Sequence, residues 1–299
     1  MTNPILVTGA AGRVGGIGRT VVELLLKQDL PVRAMVRSED ERAQSLRDMG
    51  AEVVAGDLLD LADMHRAIAG CERMYFGMSV SDTYLAATVN AAAVAKHHGV
   101  KAFVNMSQMT LQQMSVTETT SSPQHKLHWL AEQELNWSGL PVVHIRPRVL
   151  VEGFFLLLTP QSVKESNQIR LPFGDGRTSP VAVDDVARVV AAVLVNPALH
   201  IGNTYHLTGP QSETMNDVAQ EYSKALGRAI TYHNIPADAW RDVLIAHGLP
   251  AHVVHHLMTI AELHRAGRYD RMSGDVLTVS AQSPMTVEQF VRKNAGAFT

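Results

Sequence analysis

A run of glycines caught between a strand pattern and a helix pattern limits this chain more than any other feature. Ile5-Leu6-Val7-Thr8-Gly9 reads as a short apolar strand, and Gly9-Ala10-Ala11-Gly12-Arg13-Val14-Gly15-Gly16-Ile17-Gly18 carries it into the helical spacing of Val21, Val22, Leu24 and Leu25. Glycine admits positive φ and lets another backbone come close. A helix that starts at such a turn aims unpaired N–H groups and a partial positive charge at whatever sits there. That combination suits a pyrophosphate, which makes Gly9, Gly12, Arg13, Val14, Gly15 and Gly18 candidate dinucleotide contacts. Gly9, Gly12 and Gly15 keep an even spacing and leave Gly16-Ile17-Gly18 as a three-residue insertion; Gly18, just before Arg19-Thr20-Val21-Val22, is the alternative third glycine.

A second strand, Val32-Arg33-Ala34-Met35-Val36, ends at Arg37, where a site that prefers NAD would carry an acidic residue for the ribose hydroxyls. A guanidinium there suits a 2′-phosphate, which it can hold through charge-assisted hydrogen bonds. NADP(H) is therefore the expected cofactor, ahead of NAD(H). The competing reading is a solvated charge, because Ser38-Glu39-Asp40-Glu41-Arg42 continues the polar run.

Strand and helix signals go on alternating. Strands are expected at Glu52 to Gly56, Met74 to Phe76, Ala102 to Met106 and Val142 to Ile145, and helices at Glu41 to Met49, Leu61 to Ile68, Tyr84 to His98 and Lys126 to Trp137. Such alternation builds β-α-β crossovers and a parallel sheet covered on both faces. The expected fold is α/β: a Rossmann-type doubly wound parallel sheet with a smaller, mostly helical C-terminal cap. Residues 1–150 form the nucleotide domain, 183–209 return to pack on it, and 151–299 form the substrate-binding cap. Gln168 to Gly176 reads as loop, and Pro210, Pro236, Pro250 and Pro284 punctuate the helical tail.

Composition narrows the function by exclusion. A chain of 299 residues with a net charge of −3 has no basic footprint for nucleic acid. Its strongest apolar cluster, Phe154-Phe155-Leu156-Leu157-Leu158, is far too short to span a bilayer. With no basic leader ahead of a long apolar run, a cytoplasmic location is expected. The single cysteine, Cys71, excludes an internal disulfide and reads as a buried structural thiol. Metal is not expected: His97-His98 and His255-His256 are adjacent pairs whose members point in different directions on a helix, and His252 with His256 lacks a nearby carboxylate.

The order and spacing of several short segments resemble the NmrA-like branch of atypical short-chain dehydrogenases/reductases over nearly the whole chain. They are Ile5 to Gly12, Val32 to Arg37, Ala55-Gly56-Asp57-Leu58, Gly99 to Val104, Ser138-Gly139-Leu140-Pro141, Ile145-Arg146-Pro147, Asp184-Asp185-Val186-Ala187 and Tyr205 to Pro210. The resemblance implies that Asp57 and Leu58 meet the adenine and that Gly77 and Met78 run along the cofactor. It also implies that Ser107 closes the fifth strand beside the cofactor, that His128 replaces a lysine near the nicotinamide ribose, and that Pro147 begins the segment passing the nicotinamide. Walls for a flat apolar guest would come from Met109, Val149, Phe154 and Phe155.

Departures from the wider superfamily matter as well. A serine, a tyrosine and a lysine usually serve there, because a phenol lowered in pKa by an ammonium can pass a proton as hydride moves. Met109, Gln124 and His128 stand at those places here, and of these only His128 could donate a proton. The expected activity is therefore hydride transfer from NADPH to a small conjugated or aromatic acceptor such as a quinone or dye. Catalytically silent NADP(H) sensing is the first alternative, and an NAD(P)-dependent epimerase or isomerase the weaker one. A small apolar or aromatic substrate is the expected partner, and the sequence leaves a homodimer open.

Overall fold

The computed structural model describes residues 3–12 and 16–299, so Arg13, Val14 and Gly15 lie outside the described residues. β1 (Ile5–Val7) is buried along its whole length, as a short apolar strand inside a parallel sheet must be. α1 (Ile17–Leu26) follows and buries Gly18, Val21, Val22 and Leu25, the i, i+3, i+4, i+7 stripe of an amphipathic helix. The alternation continues through β2 (Val32–Val36), α2 (Glu41–Asp48), β3 (Glu52–Ala55), α3 (Leu61–Ile68), β4 (Arg73–Phe76), α4 (Tyr84–His97) and β5 (Ala102–Met106). α5 (Pro123–Trp137) and β6 (Val142–Pro147) complete the first run. Asp40 caps α2 by accepting from the Arg42 and Ala43 N–H groups, and Asp60 caps α3 by accepting from Asp63.

After β6 the chain passes through α6 (Pro160–Ser166) and β7 (Gln168–Leu171) before α7 (Val183–Val195) and β8 (Thr204–Leu207). The sheet has seven strands in the order β3-β2-β1-β4-β5-β6-β8, and the pairings from β3 to β6 are parallel. α1 and α7 pack against each other. Side chains of α3, α4 and α5, including Met64, Ala91 and Leu135, form another apolar cluster with Leu6, Met74 and Phe103 of the sheet. This is the doubly wound Rossmann-type arrangement. Cys71 lies in that cluster, where burial pushes its thiol up to about 11 and keeps it protonated.

The structure divides into two compact units, one of residues 1–119, 124–147 and 183–206, the other of 120–123, 148–182 and 207–299. The second unit is rich in helix: α8 (Met215–Leu226), α9 (Ala237–Ala246), α10 (Ala251–Arg265), α11 (Asp275–Ser280) and α12 (Val287–Lys293) join α6. It also contains β9 (Thr231–Asn234), which pairs in parallel with β7, Ile169 opposite Tyr232. The loop expected at Gln168 to Gly176 is thus a strand over its first four residues. Its core is aromatic. Phe173 stacks on His264 at 4.1 Å, His264 stacks on Tyr269 at 4.3 Å, and Trp240 meets Phe173 edge-on at 6.1 Å. The Phe154-Phe155 run forms a single wide π-helical turn, Glu152–Leu156, and the Thr159 hydroxyl donates to the Phe155 carbonyl at 2.6 Å. Among the described residues no helix is long and apolar enough to cross a membrane.

Candidate functional site

In a sheet ordered 3-2-1-4-5-6, neighbouring crossovers diverge between β1 and β4, and a crevice opens beyond the carboxyl ends of those strands. The chain is built closely there. The Thr8 N–H donates to the Tyr75 carbonyl at 3.0 Å, the Thr8 hydroxyl donates to the Gly77 carbonyl at 3.0 Å, and the Gly77 N–H donates to Thr8 Oγ1 at 2.9 Å. Gly9 follows with φ +69°, and a Cβ on it would stand 2.5 Å from the Gly77 oxygen. A Cβ on Gly77 would in turn meet the Tyr75 ring at 2.7 Å. Neither position has room for a side chain.

Gly18 makes a close helix–strand approach, while Gly15 lies outside the described residues. Gly12 donates its N–H to the Gly9 carbonyl at 3.1 Å, and Gly16, with φ +70°, is the residue that caps α1. Gly18 sits in the first turn of α1, where a Cβ would lie 2.8 Å from the Gly9 backbone. Gly16-Ile17-Gly18 is therefore no excursion of the loop: it caps and starts the helix, and Gly18 lets that helix pack against the end of β1.

The remaining predicted contacts follow strand by strand along the same carboxyl edge. Arg37, just past β2, is exposed, and no ion pair engages it among the described residues. Asp57, past β3, is exposed and accepts the Leu59 N–H at 2.9 Å in a local turn, while the cap of α3 falls to Asp60. Leu58 and Met78 are half-buried against the α3–α4 cluster. Pro147 ends β6. Ser107, just past β5, is buried and donates its hydroxyl to Glu132 at 2.5 Å.

Glu132 belongs to a stripe on α5. Gln124, His128 and Glu132 are four residues apart, and all three are buried on one face of the helix. The Gln124 amide donates to Asp82 at 2.7 Å. His128 stacks on Tyr84 with ring centroids 3.6 Å apart. Glu132 accepts from Arg146 Nε at 2.9 Å and from its Nη2, as well as from Ser107. A buried carboxylate is tolerable only when so paired. Tyr84 is the tyrosine that packs on His128, and it does not replace the missing acid. Its hydroxyl donates to the Met106 carbonyl at 2.7 Å, and complete burial pushes its pKa far up.

Sequence reasoning missed Arg42 and Glu132 as parts of this edge. Arg42 donates through Nη1 to the Ala11 carbonyl at 2.6 Å and pairs with Asp40, so it ties the start of α2 to the glycine turn. The four-residue spacing from Gln124 to Glu132 was the available signal for the second. The four residues expected as substrate walls fall in both units and are all buried. Met109 lies in a 3-10 turn, Met109–Gln113, of the first, while Val149, Phe154 and Phe155 belong to the hydrophobic core of the second.

Comparison with known proteins agrees with this construction. The chain is 28% identical over 302 residues to an NAD(P)H azoreductase of Xenophilus azovorans, covering 98% of this chain and 99% of that protein. It is 28% identical over 294 residues to a (4-alkanoyl-5-oxo-2,5-dihydrofuran-3-yl)methyl phosphate reductase of Streptomyces griseus, covering 98% and 99%. Among solved structures, the NADPH-dependent quinone oxidoreductase of Escherichia coli complexed with NADPH superimposes with a TM-score of 0.84 at 25% identity, covering 97% of this chain and 99% of that one. The profile of the NmrA-like family matches residues 1–291, and with that match, the doubly wound sheet and the glycine turn at its switch point, the chain belongs to the NmrA-like family.

Proposed function

We propose that the chain is an NADPH-dependent reductase of a small conjugated or aromatic acceptor, with quinones and azo dyes as the substrate class. The observation that carries the reading is the strand-order switch point between β1 and β4, where Gly9, Gly18 and Gly77 exclude side chains and exposed Arg37 stands where an acidic residue would favour NAD. The residues fit a dinucleotide phosphate. The start of α1 and the glycine turn receive the pyrophosphate, Arg37 grips the 2′-phosphate, and Asp57 with Leu58 meets the adenine. When bound, the reduced nicotinamide supplies the hydride.

What the chain adds is position. Glu132 fixes Ser107 and Arg146 beside the ends of β5 and β6, and since the Ser107 hydroxyl is committed to Glu132 it is no proton donor. His128, stacked and buried, serves as a positioning residue for the ribose. With no phenol available as acid, acceptors that take hydride readily and gain their proton from water are favoured, and orientation does most of the work. Both curated relatives bear names of this kind: one reduces azo compounds, and the other's name describes an unsaturated ring carrying two carbonyl groups. A small apolar substrate, a cytoplasmic setting and, where a second copy joins, a homodimer without nucleic acid belong to the same proposal.

The loss of the serine–tyrosine–lysine identities at Met109, Gln124 and His128 equally suits a cofactor sensor without turnover. Titrating the purified chain with NADPH and NADH, then following NADPH absorbance against quinones, azo dyes and enones, separates the two. Tight NADPH binding with turnover is the expected result. Binding without turnover on the whole panel favours the sensor, and no binding overturns both.

A further inference from the structure

Three histidines converge on the first unit at a place the proposed reductase does not use. His65 lies in the last turn of α3, His97 ends α4, and His98 caps it. One ring nitrogen from each lies within 4.8 Å of the other two. His98 Nε2 stands 3.0 Å from His65 Nδ1, and the ring centroids of His65 and His97 are 5.9 Å apart. The two members of the 97–98 pair do point differently, as expected of neighbours on a helix, but each reaches His65 from its own side. The third ligand comes from another helix, 32 residues earlier than the pair, which the sequence alone did not reveal.

We propose that His65, His97 and His98 form a surface site for a late first-row divalent cation, Zn(II) foremost, with water completing the coordination. Three imidazoles are a sufficient protein donor set for zinc, and bonds of about 2.0–2.1 Å put tetrahedral ligand atoms about 3.3 Å apart. The His65–His98 separation already lies near that value, and His65 and His97 are exposed enough to close the remainder by side-chain rotation. Both helices present their C-terminal ends here, whose partial negative charge favours a cation. The one cationic neighbour in the last turn of α3, Arg66, is paired with Asp63. α4 leads into the first residue of β5 and α3 toward the first residue of β4, so the cluster sits by the amino ends of the strands, at the edge opposite the glycine crevice. Its effect is to staple α3 to α4.

The test uses the intact chain with Zn(II) or Co(II) chloride as probe. Calorimetry should show one saturable site per chain, and Co(II) should develop the visible bands of a low-coordinate nitrogen site. His65→Gln, His97→Gln and His98→Gln, each verified as folded by circular dichroism, should each weaken binding by about tenfold or more. His255→Gln, exposed and outside the cluster, should bind as the parent does. NADPH oxidation should be unchanged in all four. No saturable binding, or binding that survives the three cluster variants, overturns the site. Because the calorimetric and Co(II) readouts that decide the site do not depend on turnover, the result stands apart from the fate of the proposed reductase.

Discussion

The carboxyl edge of the sheet and the aromatic core of the second unit solve opposite packing problems. At the edge the chain is shaped by what is missing: Gly9 and Gly18 bring backbones, and Gly77 the Tyr75 ring, so close that a single carbon would collide. The second core is shaped by bulk, with Phe173, His264, Tyr269 and Trp240 filling space ring against ring. Substitutions at the edge should therefore be read first in ligand affinity, and those in the aromatic core first in stability.

Trp240→Ala tests the second half of that contrast. Removing an indole that is almost wholly buried should cost about 3–5 kcal/mol, measured by denaturant unfolding, while NADPH affinity of the protein that remains folded stays at the parent value. A large loss of affinity would break the contrast. Gly9→Ala tests the first half: positive φ and the Gly77 carbonyl together should cost about 3 kcal/mol, and NADPH titration should no longer saturate.

Arg37→Ala sharpens the edge further, because it removes charge without crowding. NADPH should bind about tenfold to a hundredfold more weakly, and NADH almost unchanged, since only the former carries the phosphate. Equal losses for both would remove Arg37 from the recognition of phosphate.

The smallest effect belongs to pH and tests the aromatic core again. Burial lowers His256 to about 4 and His264 to about 3 from an ordinary 6.5. The unfolded chain therefore takes up protons below pH 6.5 that the folded one refuses, and their contribution to stability is lost as pH falls through that window. Glu213, raised to about 7 chiefly by burial, works in the other direction above pH 4.5. The net expectation is a loss of about 1 kcal/mol per pH unit on acidification, followed by thermal melts, and His264→Phe should flatten it.

Most of the first unit was legible because its constraints are local. β2 and β5 fall on the residues their apolar runs predicted, and the glycine turn announced itself, since only backbone geometry can require so many residues without side chains. The start of α5 at Pro123, three residues before the apparent pattern, follows from the preference for proline in a first turn. What escaped was assembled across distance. β7 and β9 are four residues each, some sixty apart, and Thr231-Tyr232-His233-Asn234 has no apolar pattern to betray a strand. Arg42 reaching Ala11 and Glu132 gathering Ser107 with Arg146 are likewise pairings of side chains whose meeting depends on the finished fold.

The interleaving of the two units has a consequence for the order in which the chain can be made. Residues 148–182 leave the first unit before α7 and β8 have been supplied, and they belong with residues 207–299, which emerge last. The sheet can thus close once β8 has emerged from the ribosome, but the apolar π-helical turn and β7 must wait for α8 and β9. At about 5–20 residues per second the final stretch takes roughly 5–20 s, during which Phe154, Phe155 and Phe173 have no core to enter. A chain truncated after residue 207 should therefore display a protease-resistant sheet interrupted by one cleavable segment, and that segment is where a chaperone would hold the newborn chain.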